Sequence, residues 1–105
     1  MRKRERQGAR RRYRRNGEHI RFRQRLARYG LTEAEFRHMQ AEQGDMCAAC
    51  ACDIRGKEFI DHDHVTGTVR GLLCSGCNIA LGHVKENVGA LRGMIAYLET
   101  WNAVA

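Results

Sequence analysis

The chain has 105 residues, with 19 lysines and arginines against 12 aspartates and glutamates, and a formal net charge of +7. No stretch approaches the roughly 18 apolar residues of a membrane span, and the charged beginning lacks the apolar segment of a signal peptide. We therefore expect neither a membrane protein nor a secreted one. Residues 1–30 hold 13 basic and 2 acidic side chains, whereas residues 31–105 carry a net charge of −4. This division predicts a basic arm over 1–30 and a mildly acidic body over 31–105.

The arm is rich in arginine and poor in residues that build a core. Gly8 and Gly17 interrupt its first half, and a better helical stretch runs over 18–29 before Gly30, a typical helix stop. We expect a helical or partly disordered arm that depends on a partner for its order. Clustered positive charge with interspersed aromatic side chains is typical of a segment that binds nucleic-acid phosphates without reading sequence. The arginines assigned to DNA binding are Arg10, Arg11, Arg12, Arg14, Arg15, Arg21 and Arg25. A nuclear-localisation tail, an RNA-binding tail or a solvated end is the alternative.

A helix is predicted directly after the arm. Thr32 is followed three residues later by Glu35, which is the pattern of a capping box at a helix N-terminus. Gly44 provides a stop. The pattern predicts a helix over 33–43.

The sequence of the second half of the body predicts a hairpin followed by two helices. Phe59-Ile60 and residues 68–73 favour short strands joined by a turn at 65–67. One helix is expected to begin within 78–83, and a stronger one to follow Asn87. The last helix carries an apolar stripe with helical spacing that is predicted to face the core, formed by Val88, Leu91, Ile95 and Leu98, with Met94 and Trp101 beside it.

Four of the five cysteines form two Cys-x-x-Cys pairs, separated by 23 residues. Two residues between thiols let a tight turn present both sulfurs to one ion, and two such turns complete a tetrahedron. Four thiolates favour zinc over iron, and a closed set of four makes the ion structural. Two redox dithiols are the alternative, and the cysteine usage favours a reducing, cytoplasmic compartment. The expected zinc ligands are Cys47, Cys50, Cys74 and Cys77, and Cys52 is expected to be a small buried or free thiol.

Four consecutive titratable residues follow the first strand: Asp61, His62, Asp63 and His64. Carboxylate oxygen is a ligand that Mg²⁺ prefers, and an imidazole titrates near neutrality and can deprotonate water. The tetrad therefore indicates a divalent cation beside a general base, with Asp63 orienting an imidazole or being solvated. A second zinc site or a structural pairing of Asp with His is the alternative.

These motifs occur in an ordered set that extends beyond the tetrad. The set comprises Cys47-Ala-Ala-Cys50, the run from Ile60 to Gly67, the run from Val69 to Asn78, and Leu81-Gly82. With it the sequence resembles the recombination endonuclease VII family, a branch of the HNH or ββα-metal (His-Me finger) nucleases, over residues 31–98. The resemblance implies a phage-type α+β protein: a small ββα-metal core with a four-cysteine zinc knuckle, flanked by N- and C-terminal helices.

The resemblance also implies roles for individual residues. Asp61 and Asn78 would hold one catalytic Mg²⁺ or Mn²⁺, and His62 would be the general base, with His64 as a phosphate contact or a support for the site. A regular strand points adjacent side chains to opposite faces, so Asp61 and His62 converge only if the backbone bends between them. Arg70 on the returning strand would contact a phosphate or form a surface ion pair.

The function expected from this resemblance is metal-dependent hydrolysis of DNA phosphodiester bonds by nicking, double-strand cleavage or cleavage of branched DNA. If the protein is phage-encoded, it would act in the host cytoplasm. Family members that resolve four-way junctions build an intertwined dimer from a long C-terminal region, whereas 28 residues follow Cys77 here. We therefore expect a monomer or a weak dimer. The alternative is a non-catalytic zinc-ribbon module that binds nucleic acid.

Overall fold

The computed structural model describes residues 3–104, with the side chains of the first helix described from residue 8 onward. Four helices and one two-stranded antiparallel sheet make up this part of the chain, so the predicted α+β class is confirmed. In chain order the elements are α1 (Lys3–Arg28), α2 (Glu33–Gln43), β1 (Phe59–His62), β2 (Val69–Leu73), α3 (Ser75–His83) and α4 (Val88–Val104).

The second helix has the bounds that its capping pattern predicts. The Thr32 hydroxyl accepts the backbone N–H of Glu35 at 3.1 Å, and the Glu35 carboxylate accepts the backbone N–H of Thr32 at 3.1 Å. Gly44 ends the helix in the left-handed region with φ of 61°. Both ends of α2 are therefore fixed by local chemistry.

The first helix is continuous through Gly8 and Gly17, so the predicted interruption at these glycines is wrong. Each glycine inside a helix costs about 1 kcal/mol relative to alanine, but arginine, the commonest residue around them, is a good helix former. The 26 residues span about 39 Å, and Gly30, with φ of 68°, follows the helix as predicted.

The last two turns of α1 pack into the body, although the charge boundary lies at residue 30. The Phe22 ring meets the Phe36 ring edge-on at 5.2 Å between centroids, and the Arg25 guanidinium donates to the Glu58 carbonyl oxygen at 2.8 Å. Leu26 is fully buried. The inner end of the basic helix thus helps to form the core, whose buried members are Leu26, Phe36, Cys47, Ile54, Ile60, Leu72 and Leu73.

Gln43, the last residue of α2, fastens this helix to the hairpin. Its side-chain amide donates to the Leu72 carbonyl oxygen and accepts the Leu72 N–H, both at 2.9 Å. These two bonds pair the amide with β2 much as a neighbouring strand would. The hairpin is therefore held in place from the α2 side.

The apolar stripe of α4 does not face the core, so that prediction is wrong. Val88, Ile95 and Leu98 are 57%, 55% and 57% exposed, and Leu91 alone among the four stripe residues is half-buried. Helical periodicity shows that one face is apolar, but it does not show what covers that face. The core is already filled by α1, α2 and the hairpin.

The long terminal helices give the molecule an extended shape. Its radius of gyration is 19.5 Å and its longest extent is 71 Å, whereas a compact domain of this length has a radius of gyration of about 13 Å. Within residues 3–104 no helix is both long and apolar enough to cross a membrane.

Candidate metal centre and active site

The cysteine cluster is built from one loop and the start of one helix. The Cys47 sulfur accepts the backbone N–H groups of Ala49 and Cys50 at 3.4 and 3.5 Å. The Cys74 sulfur caps α3 by accepting the N–H of Cys77 at 3.3 Å. Backbone N–H donors therefore hold one sulfur of each Cys-x-x-Cys turn in place.

The spacing between sulfurs fits a tetrahedral metal ion. The sulfurs of Cys50 and Cys74, one from each turn, lie 3.7 Å apart. Four thiolates around zinc, with Zn–S bonds of about 2.3 Å, place neighbouring sulfurs about 3.8 Å apart. The cluster could therefore bind a metal such as zinc with little movement.

The same contacts divide the thiols into acceptors and donors. Burial raises the pKa of Cys47, but the backbone N–H groups of Cys50, Cys74 and Ala49 outweigh burial and lower it to about 6. The N–H of Cys77 lowers the pKa of Cys74. Hydrogen bonds to neighbouring sulfurs raise the pKa of Cys52 and of Cys77 to about 12 each. Cys47 and Cys74 are therefore the thiols most ready to ionise and bind a cation.

Cys52 belongs to this cluster, which the sequence did not predict. The ligand atoms that lie within 4.8 Å of one another come from Cys47, Cys50, Cys52 and Cys74. Cys52 was expected to be a buried or a free thiol, and it is a free cysteine at an exposed position. Cys77 lies beside this group, since its backbone N–H donates to the Cys74 sulfur at 3.3 Å.

A β-bulge marks the start of the titratable tetrad. Asp61 pairs with Gly71 and His62 pairs with Val69, which leaves Arg70 as the extra residue of β2. A bulge bends a strand and re-aims its side chains. The bulge therefore shifts the pairing between Asp61 and His62, and the convergence of these two side chains stays a prediction.

The bulged Arg70 binds Asp61 through two hydrogen bonds. Its Nε and Nη2 donate to the two carboxylate oxygens at 2.7 and 2.9 Å. The Asp61 side chain is 13% exposed. A largely buried carboxylate thus already faces a cation, which in this structure is a guanidinium.

Glu86 joins the same site from the turn between α3 and α4. Its carboxylate accepts Arg70 Nη2 at 2.6 Å and lies 3.4 Å from His64 Nε2. Lys85 and Glu86 both adopt left-handed backbone conformations, with φ of 52° and 58°. The sequence did not predict Glu86, because it lies far along the chain from the tetrad and in no recognisable motif.

The two histidines of the tetrad are in contact. The ring centroids of His62 and His64 lie 4.8 Å apart, and the Tyr29 ring packs against His62 at 5.3 Å. His62 is half-buried and His64 is exposed. Tyr29, the residue that follows α1, therefore packs against His62, while Glu86 lies beside His64.

Asp63 stabilises the hairpin turn. Its Oδ1 accepts the backbone N–H groups of Val65 and Thr66 at 2.8 and 3.0 Å. These bonds lower the pKa of the Asp63 carboxyl. Its exposed hydrogen bonds are thus made with the turn, and not with a histidine of the tetrad.

Asn78 lies in the first part of α3 and is half-buried. Its backbone N–H donates to the Cys74 carbonyl oxygen at 3.0 Å, and α3 packs against β1, the strand that carries Asp61. The thiol cluster thus anchors the helix that bears Asn78. The approach of the Asn78 amide to Asp61 stays a prediction.

Most of the arm arginines lie on the exposed surface of α1. Arg25 is the exception, since its guanidinium is half-buried and lies 3.4 Å from the Glu58 carboxylate. Glu58 in turn keeps one buried carboxylate oxygen without a hydrogen-bond partner among the described residues. The exposed members of the predicted set are Arg10, Arg11, Arg12, Arg14, Arg15 and Arg21.

The fold and the site define a small α+β protein in which a cysteine cluster that could bind a metal lies beside a hairpin that carries Asp61 and two histidines. The recombination endonuclease VII family matches residues 22–100, and the chain belongs to that family. The match begins at Phe22, where α1 starts to pack into the core. The predicted family is therefore confirmed, and membership points to a nuclease role.

Two phage proteins are similar to this chain. The Gene 59 protein of Mycobacterium phage D29 is 42% identical over 82 residues, which cover 75% of this chain and 50% of that protein. The Gene 59 protein of Mycobacterium phage L5 is 40% identical over 76 residues, which cover 70% and 46%. The chain thus spans about half the length of the curated relatives it matches, and they support a phage type.

Proposed function

We propose that the protein is a metal-dependent DNA endonuclease of HNH type that hydrolyses phosphodiester bonds with a histidine-activated water and one Mg²⁺ or Mn²⁺. The observation that carries the proposal is a chain of contacts at the hairpin, in which Arg70 joins Asp61 to Glu86, and Glu86 lies beside His64, whose ring contacts His62. Membership of the recombination endonuclease VII family supports it.

The cysteine cluster would hold a structural zinc ion. Cys47, Cys50, Cys74 and Cys77 are the ligands expected from their spacing, and the 3.7 Å between the sulfurs of Cys50 and Cys74 suits them. A closed set of four thiolates leaves no position for substrate. Zinc would fix the beginning of α3, and hence Asn78, against the hairpin.

Asp61 and Asn78 would hold the catalytic ion. One carboxylate and one amide leave positions for water and phosphate oxygens, which is how proteins commonly bind Mg²⁺. When bound, the ion would supply positive charge to the transition state and to the leaving 3′ oxygen. The pairing of Asp61 with a guanidinium shows that this carboxylate accommodates a cation.

Arg70 would bind the scissile phosphate. Its guanidinium touches both Asp61 and Glu86. If Asp61 turns to a metal ion, Glu86 still holds Arg70 beside the site, and the guanidinium can donate to phosphate oxygens.

His62 would remove the proton from the attacking water. Its neighbour His64 lies within 3.4 Å of a carboxylate oxygen of Glu86, which favours a supporting role for His64. The Tyr29 ring packs against His62 and limits its rotation. An imidazole that stays neutral near pH 7 can accept the water proton during attack on phosphorus.

The exposed arginines of α1 would bind the DNA backbone. The body carries a net charge of −4 and would repel a polyanion, whereas residues 1–30 carry +11. A straight helix of about 39 Å spans roughly one turn of duplex. The arm would therefore bring an acidic, metal-dependent site to its substrate.

The test is cleavage of supercoiled plasmid by zinc-loaded protein, with Mg²⁺, with Mn²⁺ and with neither ion. We expect nicked or linear plasmid only when a divalent ion is present. Protein that binds the plasmid but leaves it intact with several divalent ions would reject the proposal in favour of a zinc-ribbon binding module. Linear, nicked and branched substrates in parallel would identify the preferred DNA structure.

A further inference from the structure

Five thiols meet where a zinc ion needs four. Cys47, Cys50 and Cys74 are common to both possible sets of ligands. Cys52 has its sulfur within 4.8 Å of those of all three, and Cys77, whose N–H donates to the Cys74 sulfur at 3.3 Å, has its pKa raised by the sulfurs of all three. One coordination position is therefore contested by two cysteines.

The position of Cys52 results from a tight loop. The N–H of Cys47 donates to the Cys52 carbonyl oxygen at 2.8 Å, and the N–H of Ala51 donates to the Cys47 carbonyl oxygen at 2.9 Å. Ala51 has φ of 63°, a left-handed conformation that residues other than glycine rarely adopt. This loop turns the chain back on itself, so a thiol two residues beyond Cys50 reaches the cluster.

We propose that Cys52 is a zinc ligand that exchanges with Cys77 for the fourth coordination position. Cys47, Cys50 and Cys74 hold the ion in both arrangements, and whichever of the two remaining cysteines is not bound stays a thiol. No oxidant is needed, because the bond from zinc to one thiolate is replaced by a bond to the other and one proton moves between the two sulfurs. The inference rests on the zinc site proposed above, but not on nuclease activity.

Zinc-loaded wild-type protein provides the first test, by brief alkylation with iodoacetamide followed by peptide mapping. Thiolates bound to zinc are protected, so the reactive cysteine is the one that is not coordinated. Exchange predicts adducts divided between Cys52 and Cys77, with little at the other three cysteines. Adducts at Cys52 alone would overturn the inference, since Cys77 would then be a permanent ligand. Adducts at Cys77 alone would also overturn the inference, since Cys52 would then be a permanent ligand.

A second test uses Cys52→Ser, Cys77→Ser and the double variant in the full chain. Zinc affinity is measured against a chromogenic chelator, and the number of thiolates from the absorption of the cobalt-loaded protein. Each single variant should keep four thiolates and a zinc affinity within about tenfold of wild type, whereas the double variant should show three thiolates and at least about a 100-fold lower affinity. If Cys77→Ser already shows three thiolates and binds as weakly as the double variant, the exchange does not occur.

The outcomes separate this inference from the proposed function. Wild-type protein that binds neither zinc nor cobalt would reject the zinc site itself and, with it, the exchange. Wild-type protein that binds one zinc while Cys77→Ser fails would reject the exchange alone. Neither test measures plasmid cleavage, so the results do not depend on nuclease activity.

Discussion

The cysteine cluster and the hairpin site lie side by side but are assembled in different ways. The sulfurs come from two short stretches, 47–52 and 74–77, and backbone N–H groups hold them. The hairpin site draws Asp61 from β1, Arg70 from β2 and Glu86 from the turn before α4, and side chains hold one another. We infer that the cluster stabilises the fold, whereas the hairpin site carries out the proposed chemistry. Changes at the two places should therefore have different effects.

Removing zinc should have the largest effect, because it acts on the fold. A zinc-selective chelator in the presence of excess Mg²⁺ should abolish the cooperative thermal transition, since zinc in such sites contributes about 10–16 kcal/mol of binding free energy. Circular dichroism measures the loss, and added Zn²⁺ should restore it. An unchanged melting temperature after verified zinc removal would show that the cluster does not support the fold.

Asn78→Ala should affect chemistry and leave the fold intact. Loss of the amide ligand should lower the rate of Mg²⁺-dependent plasmid cleavage at least about 100-fold, with the zinc content and the melting temperature unchanged. Asn102→Ala, at an exposed position of α4, is the matched control. A variant that cleaves at the wild-type rate would remove Asn78 from the catalytic site.

Neutralising the arm should weaken DNA binding without changing either site. Replacing Arg10, Arg11, Arg12, Arg14 and Arg15 with glutamine should lower affinity at low salt by about 10- to 100-fold and reduce the dependence of binding on salt concentration. Fluorescence anisotropy at several salt concentrations measures both. An unchanged salt dependence would show that DNA does not contact this helix.

Glu86→Gln should have the smallest effect of the four. The variant removes the charge that holds Arg70 and His64 but leaves Asp61 in place, so we expect a cleavage rate about fivefold lower. Glu99→Gln, on the exposed surface of α4, is the control. Equal rates for the two variants would mean that the Glu86 contacts do not serve the reaction.

The parts of the molecule that could be predicted from the sequence depend on neighbouring residues. The capping box and Gly44 predicted the two ends of α2, and the turn residues predicted the hairpin formed by β1 and β2. The Cys-x-x-Cys spacing likewise predicted the cysteine cluster, because each pair is held within one short turn. Short-range hydrogen bonds and turn geometry are encoded within a few residues.

The features that could not be predicted from the sequence depend on packing between distant elements. Nothing near Glu86 indicates that a left-handed turn carries it to Arg70, and the bulge at Asp61 depends on its pairing with β2. The left-handed backbone conformation of Ala51 brings Cys52 to the other thiols. It could not be predicted, because alanine does not favour that conformation. The stripe on α4 showed that a face is apolar but not that it stays exposed.

The most direct measurement is the single-turnover cleavage rate of His62→Ala and His64→Ala, each loaded with one zinc per chain and saturated with Mg²⁺. His38→Ala, on α2 with a side chain that is 74% exposed, controls for loss of an imidazole elsewhere. If His62 is the general base, its loss should lower the rate by about 10²–10⁴-fold, and loss of His64 by much less. A His62→Ala protein that cleaves DNA as fast as wild type would contradict the assignment of the hairpin as the catalytic centre.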